Sequence, residues 1–490
     1  MKKIKISTLI VIVILILSAC GRGNTNEYNA NEYEEETIIG GDVITAVEPT
    51  RRTITASVSQ DFLGVMSVAS MTLNEDWSER GLPYVFSFDF QLHLNDTGPE
   101  WRQVAEMYSE RLRIEFMAGM APDLIVNNFS LPVYQFAGRG HLSNFYTLID
   151  NCPVTSRDDF FMNVLEAYEV FGGVYELPLK FFPREYIGIN TSLPQHFVDR
   201  FAELSYITVS DFVRMYMDIL DEQDSITHHG LQRMWDINPF LFNIGYFVDW
   251  NARTANFNRP ELTELLELST EFMQRLGPIP ATDRGYIHHL PINSAAEIRT
   301  RATNYMFFSV INGLNLADKF FRRNIPFEHF IPITDDNGHL TLSDRWGIHV
   351  YDVWIPAGEN AELAWEVTRH LIAAYAETTD DNRSHFDAGR NNFGIPIKRT
   401  LFASHMRAVI NRRPIREALI GLYTDEEFAV ARTAAIARLY EVANMPMTLQ
   451  APMFPSHFIT EPFEEYFLGL ITSTEALNRM QNSVRLWLIE

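Results

Sequence analysis

One stretch constrains the fold of this chain more than any other. Trp101, Val104, Tyr108, Leu112 and Phe116 recur at spacings of three and four, which lines apolar side chains along one face of a helix. Gly119 and Pro122 end that helix. Asp123-Leu124-Ile125-Val126 then predicts a short buried strand. Helix and strand patterns alternate in this way along most of the chain, so the expected class is α/β with mainly parallel strands. Asn127-Asn128 would emerge at the carboxyl end of the strand, where open α/β sheets place their ligands.

Further helices carry start signals in which a side-chain acceptor stands three residues ahead of an acid. Thr208 with Asp211 opens Phe212 to Leu220, Asn258 with Glu261 opens Leu262 to Leu276, and Thr472 with Glu475 opens the last helix. In that last helix Leu477, Met480, Val484 and Trp487 share a face, and Leu363, Val367, Leu371 and Ala374 form another such stripe. These stripes are read as core.

Composition removes several functions. The chain has 490 residues, with 40 Lys+Arg against 63 Asp+Glu and a formal net charge of −23. Binding to nucleic acid needs clustered cations that are missing here. Two cysteines, Cys20 and Cys152, permit neither a zinc cluster nor a disulfide framework. His228-His229 and His288-His289 are adjacent pairs that lack the i,i+4 spacing of a helical zinc pair. Asp335-Asp336-Asn337-Gly338 has its glycine too early for a calcium loop and reads as a hairpin turn between Phe330-Ile331 and Leu340-Leu342. There is no Gly-x-Ser-x-Gly elbow, phosphate-binding glycine loop or dinucleotide fingerprint. Neither metal nor cofactor is expected.

The amino terminus has the plan of a secretory signal. Lys2, Lys3 and Lys5 precede an apolar run from Leu9 to Leu17, too short to span a membrane, and Ser18-Ala19-Cys20 closes it. Leu17-Ser18-Ala19-Cys20 resembles a bacterial lipobox, whose cysteine receives a diacylglycerol before cleavage. The expectation is a signal peptide over 1–19, lipidation at Cys20 and a disordered tether over 20–50, rich in Asn, Glu, Gly and Thr. Such a protein would sit on the outer face of a bacterial cell membrane.

Several local patterns then follow one another in a telling order. Ala118-Gly119-Met120-Ala121-Pro122-Asp123-Leu124-Ile125 is a helix-to-strand junction, Gly172-Gly173-Val174-Tyr175-Glu176-Leu177-Pro178 a Gly-x-x-Tyr-x-x-Pro segment, and Ile187-Gly188-Ile189-Asn190 keeps an Asn after Ile189. Thr208-Val209-Ser210-Asp211, Ala364-Trp365 and Gly394-Ile395-Pro396 complete the series. Together they resemble the extracellular solute-binding proteins of bacterial ABC importers, in the large maltose-binding-like class called family 1, where a Tyr usually stands at the place of Ile189. The resemblance implies a two-lobed periplasmic-binding-protein-like (type II) α/β fold with a hinge and an interlobe cleft. It divides the chain into a first lobe of about 51–178 plus 297–333 and a second of about 179–296 plus 334–490.

The candidate ligand residues follow from the chemistry of sugars, whose C–H faces stack on rings and whose hydroxyls need donors and acceptors. Trp235, Tyr246 and Trp250, with Asp236 and Asn243 among them, supply that mixture. Arg184 and Glu185 directly follow the family's crossing at Pro178, and Trp346 precedes a later one; Asn127 and Asn128 complete the set. The implied function is a lipid-anchored, non-catalytic receptor that delivers a small solute, a carbohydrate before a peptide, to ABC importer permease subunits. A monomer is expected. An oligopeptide receptor of the same fold, or a lipid-anchored carbohydrate hydrolase with two carboxylates among the 63 acids, are the alternatives.

Overall fold

The computed structural model describes residues 52–58, 63–90, 101–127, 133–181, 185–191, 193–222, 238–276, 308–312, 327–342, 352–377, 394–410, 424–449 and 457–489. The expected leader, tether and lipidation site Cys20 lie outside the described residues.

The chain opens with β1 (Arg52–Val58), α1 (Leu63–Glu79), β2 (Tyr84–Phe90), α2 (Trp101–Met117), β3 (Leu124–Asn127) and α3 (Val133–Gly138). After shorter elements come β4 (Leu177–Pro178), β5 (Glu185–Asn190), α4 (Val209–Glu222), α5 (Pro260–Leu276), β6 (Phe308–Asn312), β7 (Phe327–Thr334) and β8 (Leu340–Leu342). The rest is built on β9 (Asp352–Trp354), α6 (Ala361–Glu377), α7 (Asp425–Ala443), β10 (Met447–Leu449) and α8 (Ser473–Ile489). Two main sheets result, in the orders β2-β1-β3-β9-β4 and β6-β5-β7-β8-β10. Both belong to one compact unit, Arg51–Glu490.

The helix-to-strand unit folds as its sequence dictates. Tyr108, Leu112 and Phe116 are buried on α2, and Leu124, Ile125 and Val126 are fully buried on β3. Strand alternation sends Leu124 and Val126 into one core with α1 and α6, and Ile125 into another with α2 and α3. Gly119 stops α2 in the left-handed region at φ +66°, and the Met120 N–H reaches back to the Glu115 carbonyl at 2.8 Å. Asp123 then ties three segments together: one carboxylate oxygen accepts from the Thr55 N–H (2.8 Å) and hydroxyl (3.0 Å), and the other accepts from the Asn360 amide (2.6 Å).

The second sheet rests on a separate core in which Ile187 and Ile189 of β5, Ile331 and Ile333 of β7, and Phe212, Val213 and Tyr216 of α4 are buried. Thr208 accepts from the Asp211 N–H at 3.1 Å, the expected start of α4. A third core joins α5, α8 and the helix His457–Phe467, and touches the second through the packing of α5 on α4. The hairpin turn at Asp335–Gly338 forms between β7 and β8, with Gly338 at φ +82°.

Two expectations need correction. Strands are not mainly parallel: β1 pairs in parallel with β2 and β3, but β9 runs antiparallel to both β3 and β4, and β5 is flanked by antiparallel β6 and β7. Sheet pairing also divides the segments differently from the expected lobe boundaries, since β6 and β7 join the second sheet and β9 the first. The cause is the same in both cases. A strand returning from a distant part of the chain can run either way, and no local pattern records its partner. Lys180–Phe181 and Ile395–Pro396 form a two-stranded antiparallel ladder where the chain passes between the sheets.

Candidate functional site

The first sheet and its helices meet the third core along a seam of aromatic rings. Tyr134, on α3, lies 4.9 Å from Phe171, 5.3 Å from Trp250 and 5.1 Å from Trp487, the last nearly parallel at 23°. Its hydroxyl donates to the Leu488 carbonyl at 2.6 Å. Burial pushes the Tyr134 phenol up, against the lowering influence of Arg253. Phe136, two residues on, packs into the opposite core against Trp354 at 5.8 Å, so α3 is held from both sides.

Two turns interlock at this seam. One is the hairpin between Glu169–Val170 and Gly173–Val174, and the other joins Val248–Asp249 to Thr254–Ala255. Each carries a non-glycine residue in the left-handed region, Phe171 at φ 53° and Arg253 at φ 56°. Those residues meet: the Arg253 guanidinium sits 4.8 Å from the centre of the Phe171 ring. The Gly172 N–H donates to Asn251 at 3.0 Å, and a β-carbon on Gly138 would come within 3.0 Å of Arg253. Backbone held in a sparsely populated region is retained where surrounding contacts over-determine it, and here the two tips do that for each other. Gly173 serves a different close approach, since a β-carbon there would stand 2.5 Å from Asn144, whose side chain caps the helix Phe145–Asp150.

Near the crossing, Glu176, Lys180 and Asp352 are all about 1% exposed. The Trp354 indole donates to Glu176 at 3.2 Å. Asp352 stands on β9 opposite Asn127 on one side and Pro178 on the other.

On the second sheet, Asp335 is fully buried. One of its oxygens accepts from the Asn337 and His339 N–H groups, both at 2.9 Å. The other has no hydrogen-bond donor among the described residues, and the His339 ring nitrogen stays 3.8 Å away. Burial raises this carboxyl to about 7, with the Asp336 charge adding to the rise and the two N–H bonds opposing it. Burial also lowers His339. The Tyr246 ring stacks on His339 at 5.6 Å, and its hydroxyl meets the His339 Nδ1.

Among the described residues, the sequence-derived candidates fall in more than one environment. Tyr246 and Trp250 share one short segment, yet Tyr246 turns to His339 while Trp250 enters the seam against Tyr134 and Trp487. Asn243, buried at 2%, donates to the Pro239 carbonyl and accepts from the Asp336 N–H. Asn127 closes β3 and Glu185 opens β5. Asn128, Arg184, Trp235, Asp236 and Trp346 lie outside the described residues. Tyr134, Phe171, Arg253 and Trp487 are the residues that sequence reasoning misses at the seam. Trp487 was legible only as core, and nothing local marks Phe171 or Arg253 for positive φ.

No family profile matches the chain, and no curated protein matches it in sequence. Its fold does match solved structures. A family 1 extracellular solute-binding protein from Alicyclobacillus acidocaldarius aligns over 90% of this chain and 99% of its own, with a TM-score of 0.51 and 10% identity. The sugar-binding protein MalE from Xanthomonas citri aligns over 89% and 98%, with a TM-score of 0.52 and 14% identity. An uncharacterised protein from Listeria monocytogenes covers 89% and 99%, at 0.51 and 12%. At this identity the common property is the fold: the chain has the two-lobed α/β architecture of these proteins. Among the described residues, no helix is long and apolar enough to cross a membrane.

Proposed function

We propose that this chain, built on the solute-binding-protein fold, is a receptor that holds a carbohydrate between its two lobes and presents it to an ABC importer without changing it chemically. The observation that carries the reading is the alignment of nearly the whole chain with two-lobed binding proteins, one of them a sugar-binding protein. The lobes are centred on the two sheets, and the chain passes between those sheets from β4 to β5, from β8 to β9 and from β9 to β10. A solute that touches both lobes binds their closed arrangement better and shifts the population toward it.

Tyr246, Trp235 and Trp346 are the rings we assign to ligand stacking, with Asn127, Asn128, Arg184, Glu185 and Asp236 as hydrogen-bonding partners. Support for Tyr246 is its exposure of 39% with one ring face backed by His339. Trp250 belongs to the same set as a ring at the edge of the seam. The mature chain is held at the outer membrane face by lipid on Cys20, through a tether ending near Thr50.

The test is a thermal-shift and calorimetric screen of oligosaccharides and peptides with product analysis, because a receptor is stabilised by mass action and returns its ligand intact. The expected result is saturable stabilisation by a sugar, one per chain, with Tyr246→Ala weakening binding by about 1 kcal/mol. Saturable heats from peptides alone would replace the carbohydrate assignment, and cleaved products would replace the receptor by a hydrolase.

A further inference from the structure

We propose that Asp76, Glu366 and His370 form a divalent-cation site of the zinc class, clipping α1 to α6 at the edge of the first sheet. The helices already pack on each other through Leu73, Trp77, Val367 and Leu371, all fully buried. At the rim of that contact the three side chains bring one ligand atom each to within 4.8 Å of one another. Glu366 and His370 are four residues apart on α6 and share its face, while Asp76 reaches in from α1. One imidazole nitrogen and two carboxylate oxygens are donors that zinc takes at about 2.0–2.2 Å, in a tetrahedral site whose fourth place is left for water.

One further feature suits the cluster to a cation. Arg80 now bridges the two acids, at 2.8 Å to Asp76 and 2.6 Å to Glu366. A single guanidinium leaves two carboxylates half-neutralised. A metal ion would carry twice its charge and coordinate all three groups, and Arg80, whose side chain is 48% exposed, can swing into solvent when displaced. Arg80 is therefore the competitor for the site, and a variant lacking it separates a metal site from an ordinary ion pair.

Isothermal titration of the chelator-treated full chain with zinc chloride, backed by the visible absorption of cobalt(II), tests the assignment. The expected result is saturable binding that includes one zinc ion lost on His370→Ala or Glu366→Gln, each weakening it by about tenfold or more. Arg80→Ala should tighten the same site several-fold. Circular dichroism and melting of each metal-free variant establish that it is folded, and Asp76→Asn gives an independent reading at the third ligand. Absence of saturable binding would overturn the proposal. So would zinc affinity unchanged by His370→Ala and Glu366→Gln, or unchanged by Arg80→Ala, since the cluster would then be an ion pair only.

Discussion

Asp123 and Asp335 stand in comparable places, one just before a central strand and one just after, and the protein treats them in opposite ways. Asp123 spends both oxygens on donors from Thr55 and Asn360, so its charge knits β1, β3 and the entry to α6. Asp335 satisfies one oxygen with two turn N–H groups and buries the other with no donor among the described residues. The difference teaches that a carboxylate at a strand end stabilises its surroundings only when donors reach both oxygens; otherwise burial drives it toward the protonated form.

The largest effect is expected from breaking the satisfied member. Asp123→Ala removes three hydrogen bonds to an ionised group and leaves the Thr55 N–H without its acceptor, so urea midpoints should report a loss of roughly 2–4 kcal/mol. A cost below that range would mean water replaces the carboxylate freely.

Asp335→Asn sharpens the contrast through pH. The folded value, about 7, lies above the unfolded carboxyl value, so the contribution of this group is fully present below about pH 4 and is lost as pH rises through 7. Wild-type protein should therefore lose on the order of 2 kcal/mol relative to the Asn variant between pH 5 and 8, because Asn keeps the acceptor for the turn without the charge. Parallel stability profiles for the two proteins over that interval would contradict the raised value.

A smaller effect is expected at Asn360, which supplies one donor of the three. Asn360→Ala should cost about 1 kcal/mol, measured by the same denaturation series, and combining it with Asp123→Ala should add little, since both act on one bond.

Legibility in the sequence follows the range of the interaction. The α2 helix, its glycine stop and the buried strand behind Asp123 were readable because every determinant lies within a few residues. So was the start of α4, where Thr208 caps Asp211. The order of short motifs also pointed to the fold later found in the structural matches. The placement of β9 was hidden, because Asp352–Trp354 carries no mark of its pairing with β3 and β4. At the candidate site, the spacing of Tyr246 and Trp250 put both rings on one segment but could not say that they diverge. Phe171 and Arg253 were invisible for a sharper reason: positive φ without glycine is imposed by the partner across the seam. The Glu366 and His370 pair offers only two donors in sequence, and Asp76 joins it through the packing of α1 on α6.

The position of β9 in the middle of the first sheet also bears on how the protein is made. On a ribosome, β1, β2 and β3 emerge early, yet β3 keeps a bare edge until Trp354 and its neighbours have been synthesised. The nascent chain must hold that half-finished sheet, with its open ladder of amide and carbonyl groups, through the synthesis of β5, β6, β7 and β8. Translation from one end therefore cannot complete this protein piece by piece. A holding chaperone, or delay of folding until the full chain is available, removes the hazard that the topology builds in.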